Sequence, residues 1–292
     1  MYHHGLWLHF IIQFEHHRLS SSFSRIFYFP YLTSCVITKC CLIKSLNRIW
    51  IHGHKDIGTK ILQSAIRKKI NIYDESSVQA LAKKGKSIVV ITNKKKITTN
   101  LVIFATGRVP CIQSLGLEKA KVKLTNHGAI KVNALSQTSN KNIFALGDVT
   151  NRKNLTPVAI REAVYLVNYL TTKKKQTLNY DKIASGIFTQ PEVGHIGLGE
   201  NDLQKRSINY KILQTEFKPL KYAFSNKNNP VFIKVLYQPK TEKIFGIIYI
   251  GESAAEIIQS LAISFAKTFT LNDLRNTVPV HPTSSEELVT LV

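Results

Sequence analysis

The grouping of strand-like segments ahead of helix-like segments in residues 181–292 most constrains the fold of this chain. The strand-like runs are SGIFTQPEVGHIG, YKILQTEFK, PVFIKVLYQ and KIFGIIYIG, with the turn residues PKTEK between the last two. SAAEIIQSLAISFAKT follows with the periodicity of an amphipathic helix. Strands followed by helices predict an α+β domain for residues 181–292.

Residues 54–104 have a different pattern. A helix is predicted over residues 59–69, and INIYD follows as a short strand. SSVQAL, SIVVIT and ITTNLVIFAT then predict antiparallel strands, because the turn-like segments KKGK and NKKK separate them. A helix with a strand meander is half of a nucleotide-binding domain. The strand and GxGxxG turn that open such a domain do not occur upstream of residue 54.

Residues 111–180 are predicted to form a further unit. GAIKVN and KNIFALGDV are strand-like, and LTPVAIREAVYLVNYL predicts a helix that begins near Pro157, since proline is tolerated in a first turn. An apolar strand that ends at Gly147 and Asp148, shortly before a helix, is a candidate ligand-binding edge. The pattern alone leaves open whether Asp148 binds a ligand or only caps a turn.

Residues 1–53 do not match the remainder in composition, since Glu15 is their one acidic residue. An acid-poor segment with Ser and Arg is compatible with an organelle transit peptide. The alternative is sequence that does not belong to the fold, such as a wrong start or a shifted reading frame. The histidine pairs at 3–4 and 16–17 lack spaced partner ligands, so no metal site is expected.

The chain carries 40 Lys+Arg against 18 Asp+Glu, a formal net charge of +22. Such a charge suggests anionic partners, but the lysines are spread in short runs without an arginine-rich stripe. We therefore expect a solvated basic surface and no nucleic-acid partner. No apolar run approaches the length of a membrane span, so no membrane association is expected. Four bunched cysteines indicate a reducing compartment, and we expect the cytoplasm.

Five motifs occur in a fixed order between residue 54 and the end of the chain. They are ATGRVP at 105–110, FALGDVTNRKNLTPVAIREA at 144–163, PEVGHIGLGE at 191–200, TEFKPLKYAFS at 215–225 and VHPTSSEELVTL at 280–291. Together they resemble the class I pyridine nucleotide-disulfide oxidoreductases, and among these the glutathione reductase type.

The resemblance implies the fold class α/β plus α+β. Partial FAD- and NAD(P)H-binding domains would precede a complete α+β interface domain that mediates dimerisation. Residues 54–104 would be part of the NAD(P)H-binding domain, 105–180 the C-terminal part of the FAD-binding domain and 181–292 the interface domain. The implied function is transfer of electrons from NADPH through FAD and a cysteine pair to glutathione disulfide, in a homodimer.

The same resemblance assigns cofactor-binding residues. Gly147 and Asp148 match the turn whose aspartate hydrogen-bonds the ribityl chain of FAD. Thr156 matches a helix N-terminus near the flavin pyrimidine edge, where backbone N–H groups and the helix dipole favour negative charge. Gly107 and Arg108 match the loop at which the nicotinamide and flavin domains meet.

The resemblance also implies that His281 is the catalytic histidine, that Glu286 orients it, and that the peptide bond before Pro282 is cis. Thiol-disulfide exchange needs a group that accepts and returns a proton, and an imidazole held by a carboxylate meets this need. The spacing alone has a second interpretation: Thr283 and Glu286 form a capping box that would begin a helix in any case.

Cys35 and Cys40 have the C-x4-C spacing of the family's redox cysteines but lack the flanking glycines and proline. They are either the remnant of that pair or an accident of spacing. Cys111 replaces the usual Asn after the GRxP turn, and Val164 replaces an arginine common in glutathione reductases. Three hypotheses follow: a truncated reductase, a non-catalytic dimerising remnant, and a basic anion- or nucleic-acid-binding protein.

Overall fold

The computed structural model describes residues 41–43, 55–105, 108–225 and 229–291. Three of the predicted site residues lie outside the described residues: Cys35, Cys40 and Gly107. The chain divides into two compact units, with the boundaries after residues 106 and 180. Of the described residues, those from 108 to 180 form one unit, and those before and after them form the other.

The elements of the discontinuous unit are short. In chain order they are strand β1 (Cys41–Ile43), helix α1 (Lys55–Arg67), strands β2 (Asn71–Tyr73), β3 (Val78–Lys84), β4 (Ser87–Thr92) and β5 (Lys96–Thr99). The continuous unit holds α2 (Thr156–Thr172). After it come β6 (Ser185–Ile187), β7 (Val193–Gly197), α3 (Glu200–Lys205), β8 (Lys211–Phe217), β9 (Val231–Tyr237), β10 (Ile244–Ile250), α4 (Ala254–Leu261), α5 (Leu271–Arg275) and α6 (Glu287–Thr290).

The C-terminal part of the discontinuous unit is built on an antiparallel five-stranded sheet in the order β6-β7-β10-β9-β8. The central strands β9 and β10 are buried on both faces, which explains their nearly continuous apolar sequence. On one face Ile233, Val235 and Tyr249 pack in a core with residues of α4, α5 and α6. The predicted α+β domain and its β9–β10 hairpin are thus present.

The other face of this sheet is covered by α1. Ile57 of α1 is fully buried against Val193, Phe232 and Ile248. The helix was predicted over residues 59–69, and it begins four residues earlier and ends two residues earlier. Its first turn carries Asp56, whose negative charge suits a helix N-terminus.

The strands before residue 105 form an antiparallel sheet β3-β4-β5, as predicted, and β2 pairs in parallel with β1. The prediction of one strand over ITTNLVIFAT was wrong, because β5 ends at Thr99. The Thr99 hydroxyl donates to the carbonyl of Leu101 at 2.9 Å and so turns the chain. No described strand pairs with residues 101–105, and Phe104 is 60% exposed.

The continuous unit contains α2 close to its predicted position, with Pro157 in the first turn. The predicted strands GAIKVN and KNIFALGDV are wrong: they are reduced to isolated bridges between Leu124 and Ile130 and between Gln137 and Phe144. The Asn133 side chain accepts the N–H groups of Leu135 and Gln137, which holds this segment as a turn. Strands here would need neighbours that the described residues do not supply.

Two helix predictions in the C-terminal segment also need correction. The helix predicted over residues 253–268 ends at Leu261 and continues as a 3-10 turn, which places Phe265 in the core at 5% exposure. Helix α3 was not predicted. Its signal was Asp202, whose carboxylate accepts the N–H of Gly199 at 3.2 Å and caps the helix start. In the described part of the chain, no helix is long and apolar enough to cross a membrane.

Candidate active site

The predicted pair of His281 and Glu286 is in contact. Nδ1 of His281 lies 2.9 Å from Oε2 of Glu286. The His281 side chain is 72% exposed, whereas that of Glu286 is 16% exposed. The carboxylate is therefore held against the protein while the imidazole faces outward, which is the arrangement expected of a histidine that exchanges protons with another molecule.

The backbone between the two residues is held by Thr283. Its hydroxyl donates to the carbonyl of Val280 at 2.8 Å and accepts the N–H of Glu286 at 3.2 Å. The His281–Pro282 peptide bond is cis, as the resemblance implied. The Thr283 hydroxyl therefore hydrogen-bonds to the backbone at both ends of the segment from Val280 to Glu286.

The capping-box prediction is wrong in one half. Thr283 does accept the N–H of Glu286, but the Glu286 carboxylate bonds to His281, and α6 begins at Glu287. The first turn is tight, with the Leu288 N–H bonded to the carbonyl of Ser285. The side chain that would complete the box is thus engaged by the histidine.

Asp148 lies in a 3-10 turn, Gly147–Thr150, that precedes α2. Its carboxylate forms an ion pair with Arg108 at 2.5 Å and is 38% exposed. The two predicted cofactor residues are therefore neighbours in the same unit. Thr156 is exposed at the N-terminus of α2, and the N-cap residue Leu155 provides no side-chain cap. Pro157 has no N–H group, and the Val158 N–H bonds to the carbonyl of Leu155 at 3.0 Å, so this helix start offers a ligand the backbone N–H of Thr156.

Sequence reasoning missed Glu162. This residue is buried in α2, and its Oε2 accepts the N–H of Gly147 at 2.7 Å. Oε1 accepts the hydroxyl of Tyr180 at 2.5 Å and pairs with Arg152 at 3.1 Å. Burial and the hydrogen bond to Glu162 raise the pKa of Tyr180. The available signal was position, because Glu162 follows the buried Val158 by four residues and so lies on the core-facing side of α2.

These residues fit only part of an FAD site. A carboxylate suits ribityl hydroxyl groups, and the N-terminus of α2 suits the electron-rich edge of the flavin. The glycine-rich turn that holds a dinucleotide pyrophosphate does not occur in the sequence.

The described residues contain no group of three or more potential metal ligands. Cys111 is an exposed free thiol.

A family model for pyridine nucleotide-disulphide oxidoreductases matches residues 31–163, and the model of that family's dimerisation domain matches residues 183–292. The chain belongs to the pyridine nucleotide-disulphide oxidoreductase family, and the resemblance in its motifs is confirmed.

Within that family the chain is similar to glutathione reductases. It is 36% identical to the chloroplastic/mitochondrial glutathione reductase of Pisum sativum over 76% of this chain and 41% of that protein. It is 33% identical to the glutathione reductase of Nostoc sp. over 81% and 55%, respectively. It is 34% identical to the trypanothione reductase of Trypanosoma congolense over 71% and 42%. The chain spans about half the length of these relatives.

Solved structures agree on the fold. LpdA from Mycobacterium tuberculosis aligns with a TM-score of 0.74 at 19% identity, over 86% of this chain and 55% of that one. The flavoprotein disulfide reductase RclA from Escherichia coli aligns with a TM-score of 0.75 at 19% identity, over 86% and 59%. The described residues thus share the fold of the matched parts of these two structures.

Proposed function

We propose that this chain acts as a glutathione reductase-like flavoprotein disulfide reductase. Electrons would pass from NADPH through FAD and a cysteine pair to glutathione disulfide. The observation that carries the proposal is the contact between His281 and Glu286, which presents an exposed imidazole on a carboxylate. The identities of 33–36% to glutathione reductases support the choice of substrate.

His281 is the proposed proton-transfer group. When a cysteine thiolate attacks glutathione disulfide, one glutathione leaves as a thiolate and takes a proton. His281 supplies that proton and later accepts one from a cysteine thiol, while Glu286 holds the imidazole through Nδ1 and stabilises its charged form. FAD, when bound, supplies the transfer of two electrons between NADPH and the cysteine pair.

Other residues have proposed supporting roles. Asp148 and the adjacent Gly147 bind the ribityl chain, and the helix start at Thr156 binds the flavin edge. By resemblance, Gly107 and Arg108 belong to the loop at which the family's nicotinamide and flavin domains meet. Cys35 and Cys40 are the proposed redox pair. We further propose a homodimer located in the cytoplasm, in which the dimerisation domain joins two copies.

Steady-state assays test this proposal. The purified chain should show flavin absorbance and should oxidise NADPH when oxidised glutathione is added. His281→Gln should abolish most of this oxidation without loss of flavin. An unaffected rate in His281→Gln would reject the assigned role, and a greater rate with trypanothione disulfide would reject glutathione as the substrate.

The cysteine assignment has its own test. Cys40→Ser should abolish reduction of oxidised glutathione, whereas Cys111→Ser, a change at an exposed free thiol, should leave the rate unchanged. Equal rates in the Cys40→Ser protein and the unaltered protein would show that the C-x4-C spacing is accidental.

A second candidate is a non-catalytic dimerising protein. The match of the dimerisation-domain model to residues 183–292 favours it, because that region carries its own packed core. Sedimentation and absorbance distinguish the two candidates. A colourless dimer that does not oxidise NADPH supports the second, and a yellow protein that reduces glutathione disulfide supports the first.

A further inference from the structure

We infer that Glu162 is a positioning residue whose buried carboxylate fixes the peptide of Gly147 and thereby the turn that carries Asp148. The functional meaning of this inference rests on the proposed flavin-binding role of Asp148. The Glu162 side chain is 3% exposed, so its charge is held inside the unit formed by residues 108–180. A buried carboxylate is unfavourable unless its oxygens are hydrogen-bonded.

Two hydrogen-bond donors and one cation surround the Glu162 carboxylate. The Gly147 N–H donates to Oε2 at 2.7 Å, and the Tyr180 hydroxyl donates to Oε1 at 2.5 Å. Arg152 approaches Oε1 at 3.1 Å and supplies the opposite charge. An ionised carboxylate only accepts hydrogen bonds and carries a negative charge, so two donors and a guanidinium group suit it in kind. Both oxygens are engaged, which restricts the side chain to one orientation.

The carbonyl group of Gly147 is held as well. The Thr150 hydroxyl donates to the carbonyl of Gly147 at 2.8 Å, and Thr150 is 5% exposed. Nε of Arg152 lies 3.3 Å from the Thr150 hydroxyl oxygen. Arg152 therefore links the group that binds the Gly147 N–H to the group that binds its carbonyl. The two polar backbone groups of Gly147 are fixed by one connected network.

Glycine suits this position better than a residue with a side chain. Gly147 has a φ of 71°, in the left-handed region, and a Cβ there would lie 3.1 Å from the Cβ of Ala159 in α2. The turn thus lies directly against the helix that begins at Thr156. Since Glu162 belongs to the same helix, its bond to Gly147 sets the position of Asp148 relative to the start of α2. Those are the two places that the proposed function assigns to the flavin.

Substitutions at residue 162 separate positioning from simple charge balance. Glu162→Met keeps the length of the side chain but offers no oxygen. Glu162→Gln keeps one oxygen for the Gly147 N–H, and its amide group can donate to the Tyr180 hydroxyl, which also accepts. If the carboxylate serves only to neutralise Arg152, the two variants should behave alike.

The test is amide hydrogen exchange of residues 144–151 in the full chain, measured by mass spectrometry. Glu162→Met should raise exchange in this segment about tenfold, as expected for loss of one buried hydrogen bond. Glu162→Gln should retain most of the protection. Arg161→Met, a change at the exposed neighbouring residue, should alter nothing. Exchange that is unchanged in Glu162→Met, or equally raised in Glu162→Gln, would overturn the inference.

A second variant and a second measurement complete the design. If Glu162→Met does not fold, Thr150→Val removes the hydroxyl at the other side of Gly147 and should raise exchange in the same segment; an unchanged rate would overturn the inference. Titration with FAD then tests function, with weaker binding expected in Glu162→Met and binding retained in Glu162→Gln. FAD affinity equal in Glu162→Met and the unaltered chain would also overturn it. Absence of FAD binding by the unaltered chain would reject the proposed flavin function, and the exchange data would still decide the role of Glu162.

Discussion

Nδ1 of His281 lies 2.9 Å from Oε2 of Glu286, five residues later in the chain. The contact engages one ring nitrogen and leaves Nε2 for proton exchange with another molecule. The carboxylate is mostly buried and the ring mostly exposed, so the pair is anchored at the carboxylate.

Substitution of this pair should slow the disulfide step selectively. His281→Gln should reduce the rate of reaction with oxidised glutathione by about 10²–10⁴-fold, the usual contribution of a general acid–base group. Glu286→Gln should cause a smaller loss, because the imidazole is still present. In stopped-flow measurements, the rate at which NADPH reduces the flavin should be unchanged. Glu287→Gln serves as the control, and an equal loss in that variant would contradict the assignment.

Thr283→Ala should destabilise the loop that holds His281 and Glu286. The hydroxyl both donates to Val280 and accepts from the Glu286 N–H, so its loss should lower the free energy of unfolding by about 1 kcal/mol. Urea titration followed by circular dichroism measures the change. Thr290→Ala, at the exposed end of α6, should have a smaller effect. Equal destabilisation by the two changes would argue against a capping role.

Lys234 should stabilise the packing of α1 on the sheet. Its side chain is 4% exposed in the middle of β9, and its ammonium group contacts Asp56 and Glu200. Lys234→Met should lower the free energy of unfolding by about 1–3 kcal/mol, less than for a fully buried pair because the two carboxylates regain water. Lys211→Met, on the exposed edge strand β8, is the matched control and should be nearly neutral.

The contribution of Lys234 should depend on pH in a defined direction. Burial lowers the pKa of its ammonium group, but the hydrogen bonds to Asp56 and Glu200 outweigh burial and raise it overall. Because its pKa is raised, Lys234 contributes its full stabilisation below the ordinary lysine pKa of 10.5. This contribution is lost as the pH rises through the pKa that Lys234 has in the folded protein. The difference between the unaltered protein and Lys234→Met should therefore be constant near neutrality and shrink at strongly alkaline pH.

Gly194 should be intolerant of any side chain. It lies in β7 where a Cβ would meet the backbone carbonyl group of Ala254, at the start of α4. Gly194→Ala should lower the free energy of unfolding by about 1–3 kcal/mol, because backbone atoms cannot move aside easily. At Gly186 in β6 a Cβ would lie 3.0 Å from the Cβ of Ala255, so Gly186→Ala should be milder. A reversed order in thermal denaturation would contradict the close approach of β7 to α4.

Several features could be predicted from local pattern. Helix α2 was expected from its periodicity and the proline in its first turn, and the β9–β10 hairpin from two apolar runs around PKTEK. These signals are sufficient because helix periodicity and turn chemistry act between residues that are close in the chain. The pairing of His281 with Glu286 was implied by the family resemblance, because their spacing alone was also compatible with a capping box.

Other features of the fold could not be predicted from the local sequence pattern. Residues 101–105 and the run before Gly147 have strand composition, yet the described structure supplies no continuous partner strand for either. A strand is stabilised by hydrogen bonds to a neighbour, so composition alone cannot decide whether it forms. The capping box at Thr283 failed for a related reason, because the Glu286 carboxylate had two possible partners and bonded to His281.

The sequence by itself determined the family, the α+β character of residues 181–292 and the candidate proton-transfer pair. The tertiary structure decided which buried charges have partners. Glu162 reaches Gly147 and Tyr180 across 15 and 18 residues, and Lys234 reaches Asp56 across 178. Such contacts depend on how helices and strands pack in space. A buried charge is tolerated only where packing brings its partner to it, and the linear order of residues does not reveal that meeting.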